Sequence, residues 1–335
     1  MHLIKRSLLV FSVMLVPFVL VGVGQSSLAL GEEAGPAYEH PYDPAGKEYV
    51  DRGDYEMGLS YFEELMEDKK EAGKPKVVLT LCRLYWVTGK YREIIEEVDA
   101  AAKRGVSSAR LSLAKAEALY RTGEIEDSGK MFESIAEKNP ALHKAQLDLG
   151  KYYYETGRLD KAYRILKRLA LLDIKPYKRV PESLYCIGEA ARMTGNYEVA
   201  DTALAWAYAE KTADKYYEDA YAARSQLYID LFDIGYAYLG ILDQGLFNHN
   251  RRSPIGHVMK GWCLFYDCTT SRHFDLAADE AEQALQYNPN LIEALDLAAY
   301  VHSFRERFDE AQKYIDRALA VNPNSLSTLA QQGLL

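Results

Sequence analysis

Apolar residues between Leu147 and Leu169 recur at helical spacing on either side of a glycine. Leu149, Gly150 and Tyr153 share one helical face; beyond Gly157, Leu159, Ala162, Leu166 and Leu169 share another. The pattern predicts two amphipathic helices hinged at Gly157, where a glycine ends a helix cheaply in the left-handed conformation. Gly150 and Ala162 are small where the helices must cross closely, and Tyr153 and Leu159 are large where space has to be filled. Such small–large alternation encodes a helical hairpin.

The unit repeats along the chain. Turns are predicted at Gly53, Gly89, Gly123, Gly157 and Gly195, then at Asp233, Arg272 and Glu306, with intervals of 36, 34, 34, 38, 38, 39 and 34 residues. That is the period of one helical hairpin per repeat. A large side chain stands two residues after the turn at Tyr55, Tyr91, Ile125, Leu159, Tyr197, Phe274 and Phe308. Three further on comes a small one at Gly58, Ser128, Ala162, Ala200, Ala277 and Ala311. Pro140, Pro289 and Pro323 follow second helices, which proline cannot continue.

With these rows in place, the chain resembles the tetratricopeptide repeat (TPR) family. The segments that carry the likeness are LGKYYYETGRLDKAYRIL from Leu149, FDLAADEAEQALQYNP from Phe274 and FDEAQKYIDRALAVNP from Phe308. The resemblance extends over residues 39 to 325 and implies an all-α fold, a right-handed α-solenoid of about eight TPR-like hairpins. The copy around Asp233 departs most, with Gly235 and Tyr238 in the large and small rows, so an irregular hairpin is expected there.

The ends read differently. Lys5 and Arg6 precede an apolar run from Leu8 to Val23, and small and polar residues lead to Ser27-Leu28-Ala29. This is the layout of a signal peptide over residues 1–29, cleaved after Ala29, with an uncleaved N-terminal anchor as the alternative. Residues 30–44 form a proline-containing flexible lead-in, residues 45–325 the solenoid, and residues 326–335 a partial or capping helix. Export to the periplasm or medium is therefore expected, with membrane contact only if the N-terminal segment is retained.

Net charge is -9, and the signal segment contains no carboxylate to offset its own two cations. A nucleic-acid partner is disfavoured, because such binding rests on clustered Lys and Arg neutralising phosphates. Cys82, Cys186, Cys263 and Cys268 fall on predicted first helices and are expected to be buried thiols. Glu63-Glu64, Glu96-Glu97 and Asp279-Glu280-Glu282 read as solvated faces rather than acid/base pairs. His249, His257, Asp267, Cys268 and His273 match no compact metal-ligand spacing, and neither a phosphate loop nor a GxSxG elbow occurs. The chain is expected to be no enzyme and to need no metal or cofactor.

Surface recognition remains. In the family that the chain resembles, first helices line the concave side where extended peptides dock. Counting back three residues from successive turns gives Trp86, Tyr120, Tyr154 and Arg192, and six back gives Arg83, Glu117, Lys151 and Glu189. Thirteen back gives Lys76, Arg110 and Lys144. The expected groove is thus an aromatic ladder flanked by positive charge, formed by Arg83, Trp86, Arg110, Tyr120, Lys144, Lys151 and Tyr154 and suited to a protein or peptide segment. The competing structural role is that Trp86, Tyr120 and Tyr154 fill space between neighbouring first helices. The family's lysine–asparagine carboxylate clamp is not matched, since Asp43 and Lys47 occupy its stretch. Aromatics at Trp262, Phe265, Tyr266, Tyr300 and Phe304 are expected mainly in the core. A second reading makes the chain the non-catalytic repeat region of a longer secreted enzyme such as a peptidase, truncated at residue 335, because the segment after Pro323 reads as the first helix of a further hairpin that stops at Leu335.

Overall fold

The computed structural model describes residues 40–209 and 217–335. The expected signal peptide and the lead-in up to residue 39 lie outside the described residues. Helix α1 (Pro44–Arg52) pairs with α2 (Tyr55–Leu65), α3 (Pro75–Val87) with α4 (Tyr91–Lys103), and α5 (Ala109–Arg121) with α6 (Ile125–Lys138). Then come α7 (His143–Glu155) with α8 (Leu159–Ala170), and α9 (Pro181–Met193) with α10 (Tyr197–Ala207). Helix α11 (Glu218–Asp230) is followed by a π-helical segment, Tyr236–Leu246. Helices α12 (Pro254–Asp267) and α13 (Ser271–Tyr287), then α14 (Ile292–Phe304) and α15 (Phe308–Val321), complete the hairpins, and α16 (Leu326–Gln332) follows. The fold is the α-solenoid that the periodicity predicted; among the described residues there is no strand.

Each of the five turn glycines has a positive φ, from 73° at Gly157 to 89° at Gly123. The residue after the glycine bonds back to the carbonyl five residues earlier, as in Lys90 N–H to Tyr85 and Arg158 N–H to Tyr153 at 2.8 Å, which satisfies carbonyls left over at the helix end. A threonine before the glycine closes another: the Thr88 hydroxyl donates to the Leu84 carbonyl at 2.8 Å. The small-residue row is buried throughout, and a Cβ on Gly150 would lie 2.5 Å from Leu166, so the close helix crossing is real.

Two of the weaker turns are corrected. In the sixth hairpin Phe232, not Asp233, takes the left-handed conformation, with φ 61°, and the helix that follows is wound as a π-helix. In the seventh the first helix ends at Asp267, and Arg272 lies inside α13. Cys268 caps that end and is exposed, whereas Cys82, Cys186 and Cys263 are buried as expected. The aromatics Trp262, Phe265 and Tyr300 do pack among core residues, while Phe304 and Tyr266 remain substantially exposed.

Periodicity gives no hint of the main feature of the fold, which is that the array coils back on itself. Hairpins separated by about two hundred residues touch through three asparagines. Asn250 Nδ2 donates to the Val50 carbonyl at 3.2 Å, Asn288 Nδ2 to Trp86 at 3.3 Å, and Asn322 Nδ2 to Tyr120 at 3.1 Å. Each acceptor stands three residues before a turn glycine, at the end of a first helix; it already accepts from that glycine's N–H, and the asparagine amide takes its second lone pair. Two residues beyond each asparagine, a second side chain reaches the glycine itself: Arg252 to Gly53 at 3.4 Å, Asn290 to Gly89 at 2.9 Å and Asn324 to Gly123 at 2.8 Å. Asn250 and Asn288 also donate to the hydroxyls of Tyr55 and Tyr91. Tyr287 and Val321 pack apolar surface into the same seam.

The seam explains why one repeat position has two fates. Tyr55 and Tyr91, under the second turn of the coil, are 4% and 3% exposed; the equivalent Leu159, Tyr197 and Phe308 are 57%, 42% and 52% exposed. The turn glycines divide the same way. A Cβ on Gly89 would sit 2.2 Å from Asn288 Oδ1, whereas one on Gly157 would meet nothing within 4 Å. Gly157→Ala is therefore expected to lose about 1 kcal/mol from backbone strain alone. Gly89→Ala carries the same strain and a clash, so chemical denaturation should show a clearly larger loss. Hydrogen exchange should also show faster exchange at Asn290 in Gly89→Ala and no change there in Gly157→Ala.

Candidate functional site

The coil encloses a cavity of about 530 Å³, lined chiefly by first helices: α3, α5, α7, α9 and α11, with the start of α12 and Glu293 of α14. Six of the expected groove residues line it: Arg83, Trp86, Arg110, Tyr120, Lys144 and Lys151. Tyr154 is not part of the lining and is 54% exposed. The difference follows from the seam. Asn288 and Leu291 of the second turn wall the cavity beside Trp86, while hairpin 4 carries no asparagine contact at Gly157, and there Tyr152 and Glu155 face inward instead.

The positive charges expected to be available for a ligand are all engaged. Arg110 holds Glu182 through two bonds of 2.5 and 2.6 Å, and Arg121 holds Glu293 through two of 2.9 and 2.6 Å. Arg83 stands 3.4 Å from Glu218 and 3.5 Å from Asp219 across the coil. Lys144 lies between Glu117 and Asp148, Lys151 is 3.0 Å from Glu189, and Arg192 bridges Glu189 at 2.8 Å and Asp230 at 2.6 Å. These pairs were within reach of the sequence. The row thirteen residues before the turn, read only as far as Lys144, continues through Glu182, Asp219 and Glu293 with its sign reversed, counted from Gly195, Phe232 and Glu306.

Burial tilts the titration of two carboxylates in opposite directions. Burial alone would raise Glu189, but Lys151 and Arg192 overcome it and hold the carboxyl down at about 2. Asp148 goes the other way: burial, offset only in part by Lys144 and reinforced by Glu117, pushes it up to about 7. Aromatic faces inside the cavity already seat cations, with the Arg121 guanidinium 5.3 Å over Trp86 and the Lys151 ammonium 5.8 Å over Tyr185. Trp86 also makes an edge contact with buried Tyr91, so it serves the core as well as the cavity.

The histidine and cysteine cluster is split. His257 Nδ1 lies 2.6 Å from Glu280, which also pairs with Lys260, while His273 stands 3.5 Å from Asp267 beside exposed Cys268. Glu280 is thus a partly buried partner of His257 rather than one of a freely solvated row.

An α-solenoid of helical hairpins with a lined interior defines the class of protein. The tetratricopeptide repeat family model matches residues 79–143 and 113–179, so that stretch carries tetratricopeptide repeats. No curated protein sequence matches the chain. Among solved structures, it is similar to the human IFIT1 dimer with PPP-AAAA, at 12% identity and a TM-score of 0.50, over 84% of this chain and 67% of that one. The human IFIT1 dimer with m7Gppp-AAAA gives 13%, 0.50, 88% and 72%. The APC/C hetero-tetramer Cut9-Hcn1 gives 15% identity and a TM-score of 0.48 over 85% of this chain, which spans about half, 52%, of that one. At these identities the likeness concerns the fold alone.

Removing Glu189 strands Lys151 and leaves Arg192 with Asp230 alone. Glu189→Gln is expected to cost about 3–5 kcal/mol at pH 7, the usual penalty for breaking a buried pair. Because the folded carboxyl is held below its ordinary 4.5, its contribution is complete above that pH and is lost as pH falls towards 2. Denaturant titrations of wild type and variant should therefore converge between pH 4.5 and 2.

Proposed function

We propose that this chain is an exported scaffold that holds an extended segment of a protein partner, non-covalently, in the interior of its coil. The observation that carries this reading is the cavity of about 530 Å³ lined by aromatic rings and by ordered, paired charges on successive first helices. Its size falls within the range of ligand-binding clefts. Rings such as Trp86 and Tyr120 offer contact area at a low cost in frozen torsions. The ion pairs hold the lining helices in register, so the surface is organised before a partner arrives.

Charge also supports a polypeptide over a nucleic acid. The lining cations named above are each bonded to a carboxylate, which leaves no clustered positive charge to neutralise phosphates. In this the cavity calls for a ligand unlike the PPP-AAAA and m7Gppp-AAAA held in the IFIT1 structures. Export rests on the N-terminal pattern of residues 1–29, and N-terminal sequencing of the protein from its native host should begin near Leu30.

A photo-cross-linking amino acid placed at Ala114, inside the cavity, or at Tyr163, 51% exposed on α8, tests the location of binding in the full chain. A partner should cross-link from position 114 and not from 163. Cross-links confined to position 163 would move the binding surface to the outside of the coil. The double variant Trp86→Ala/Tyr120→Ala should reduce the yield from position 114 at least tenfold, with melting measured alongside because Trp86 also touches the core.

A further inference from the structure

The cavity lining is short of positive charge. Arg110 and Arg121 each satisfy one carboxylate through two bonds, and those pairs are balanced. Glu189 has two cations, Lys151 and Arg192, but the other acids of two walls are short of partners. Lys144 alone serves both Glu117 and Asp148, and the neighbouring Glu155 receives only the Tyr120 hydroxyl among the described residues. On the opposite wall, among the described residues, Arg83 is the one cation beside both Glu218 and Asp219, at 3.4 and 3.5 Å, while Glu218 also accepts from the Ser253 hydroxyl.

We infer that the segment held in the cavity is basic, placing Lys or Arg side chains against two under-compensated carboxylate groups, one on α5 and α7 and the other on α11. This rests on the scaffold reading above and specifies its ligand class. The row of positive charges taken by itself would point the other way, to an acidic segment or a terminal carboxylate, but each of the lining cations named above already has a carboxylate partner. An acidic segment would have to displace Glu182, Glu189 or Glu293 from a buried pair, leaving that glutamate without its cation. A basic segment displaces nothing, since Glu155 and Asp219 keep acceptor capacity and reach solvent. The elevated titration of Asp148 has the same origin, a buried carboxyl that must share one ammonium with Glu117. Aromatic faces suit such a ligand as well, as Trp86 and Tyr185 already carry cations from the chain itself.

Selection of random twelve-residue peptides against the full-length protein tests this, with Ala114→Trp, which plugs the cavity, as the counter-selection. Peptides retained only by the unplugged protein should carry net positive charge. Their affinity should fall at least tenfold in Glu155→Gln/Asp219→Asn, a pair of changes that leaves Arg83 facing Glu218 and Lys144 facing both its acids. Recovery of neutral or acidic peptides, or of basic ones indifferent to that double variant, would overturn the inference and leave the cavity as the binding site. If no peptide distinguishes plugged from unplugged protein, the scaffold reading itself falls.

Discussion

A buried asparagine must find partners for its amide, and this constraint shapes the whole array. Asn250, Asn288 and Asn322 are at most 3% exposed, and in the first turn of the coil their amides meet carbonyls at the hairpin turns that keep a lone pair beyond the one given to the turn glycine. The asparagines need acceptors, and the carbonyls at the ends of α1, α3 and α5, each already bonded to a turn glycine, have a second lone pair to offer; stacking one turn of the coil on the next satisfies the amides. Each bond is worth only about 0.5–1.5 kcal/mol net, but all three recur at one register. A shift of the second turn by one residue would leave every amide buried and unpaired. The seam therefore fixes the pitch, and the pitch closes the cavity.

Inside the coil the same logic is carried by charge. Cations on the hairpins of the first half face carboxylates on those of the second half, with Arg83 reaching α11, Arg110 reaching α9 and Arg121 reaching α14. Buried pairs of this kind contribute little net stability, because desolvation offsets attraction, but a mismatched partner is heavily penalised. They act as a second register beside the asparagine seam. A repeat array with contacts only between neighbours would be free to vary its curvature; one pinned at both seam and lumen is not.

The sixth hairpin breaks the pattern where the coil passes from its first turn to its second. Phe232 occupies a left-handed position that glycine fills in the first five repeats and is 85% exposed, and the helix beyond it is wound more widely than an α-helix. The widened helix matches the weak repeat signature there: Gly235 and Tyr238 stand where other repeats have a large and a small residue, so the close crossing that sets normal hairpin geometry is missing.

The sequence by itself determined the hairpins, because a helix period, a turn glycine and a small residue at the crossing are local requirements that each repeat states for itself. Gly53, Gly89, Gly123, Gly157 and Gly195 were all found at left-handed turns for that reason. First-helix positions also identified six of seven residues around the cavity, since a helix has only one face left once the other is packed. What each side chain does there was decided by tertiary structure. Nothing local distinguishes Gly89, pressed against Asn288, from Gly157 with open space around it, or buried Tyr91 from exposed Leu159. The partners of Arg83, Arg110 and Arg121 lie 135, 72 and 172 residues away, and only the curvature summed over many repeats brings them together. Repeats specify their own shape through short-range packing, whereas the coil's closure depends on small rotations accumulated over five hairpins, which no single repeat encodes.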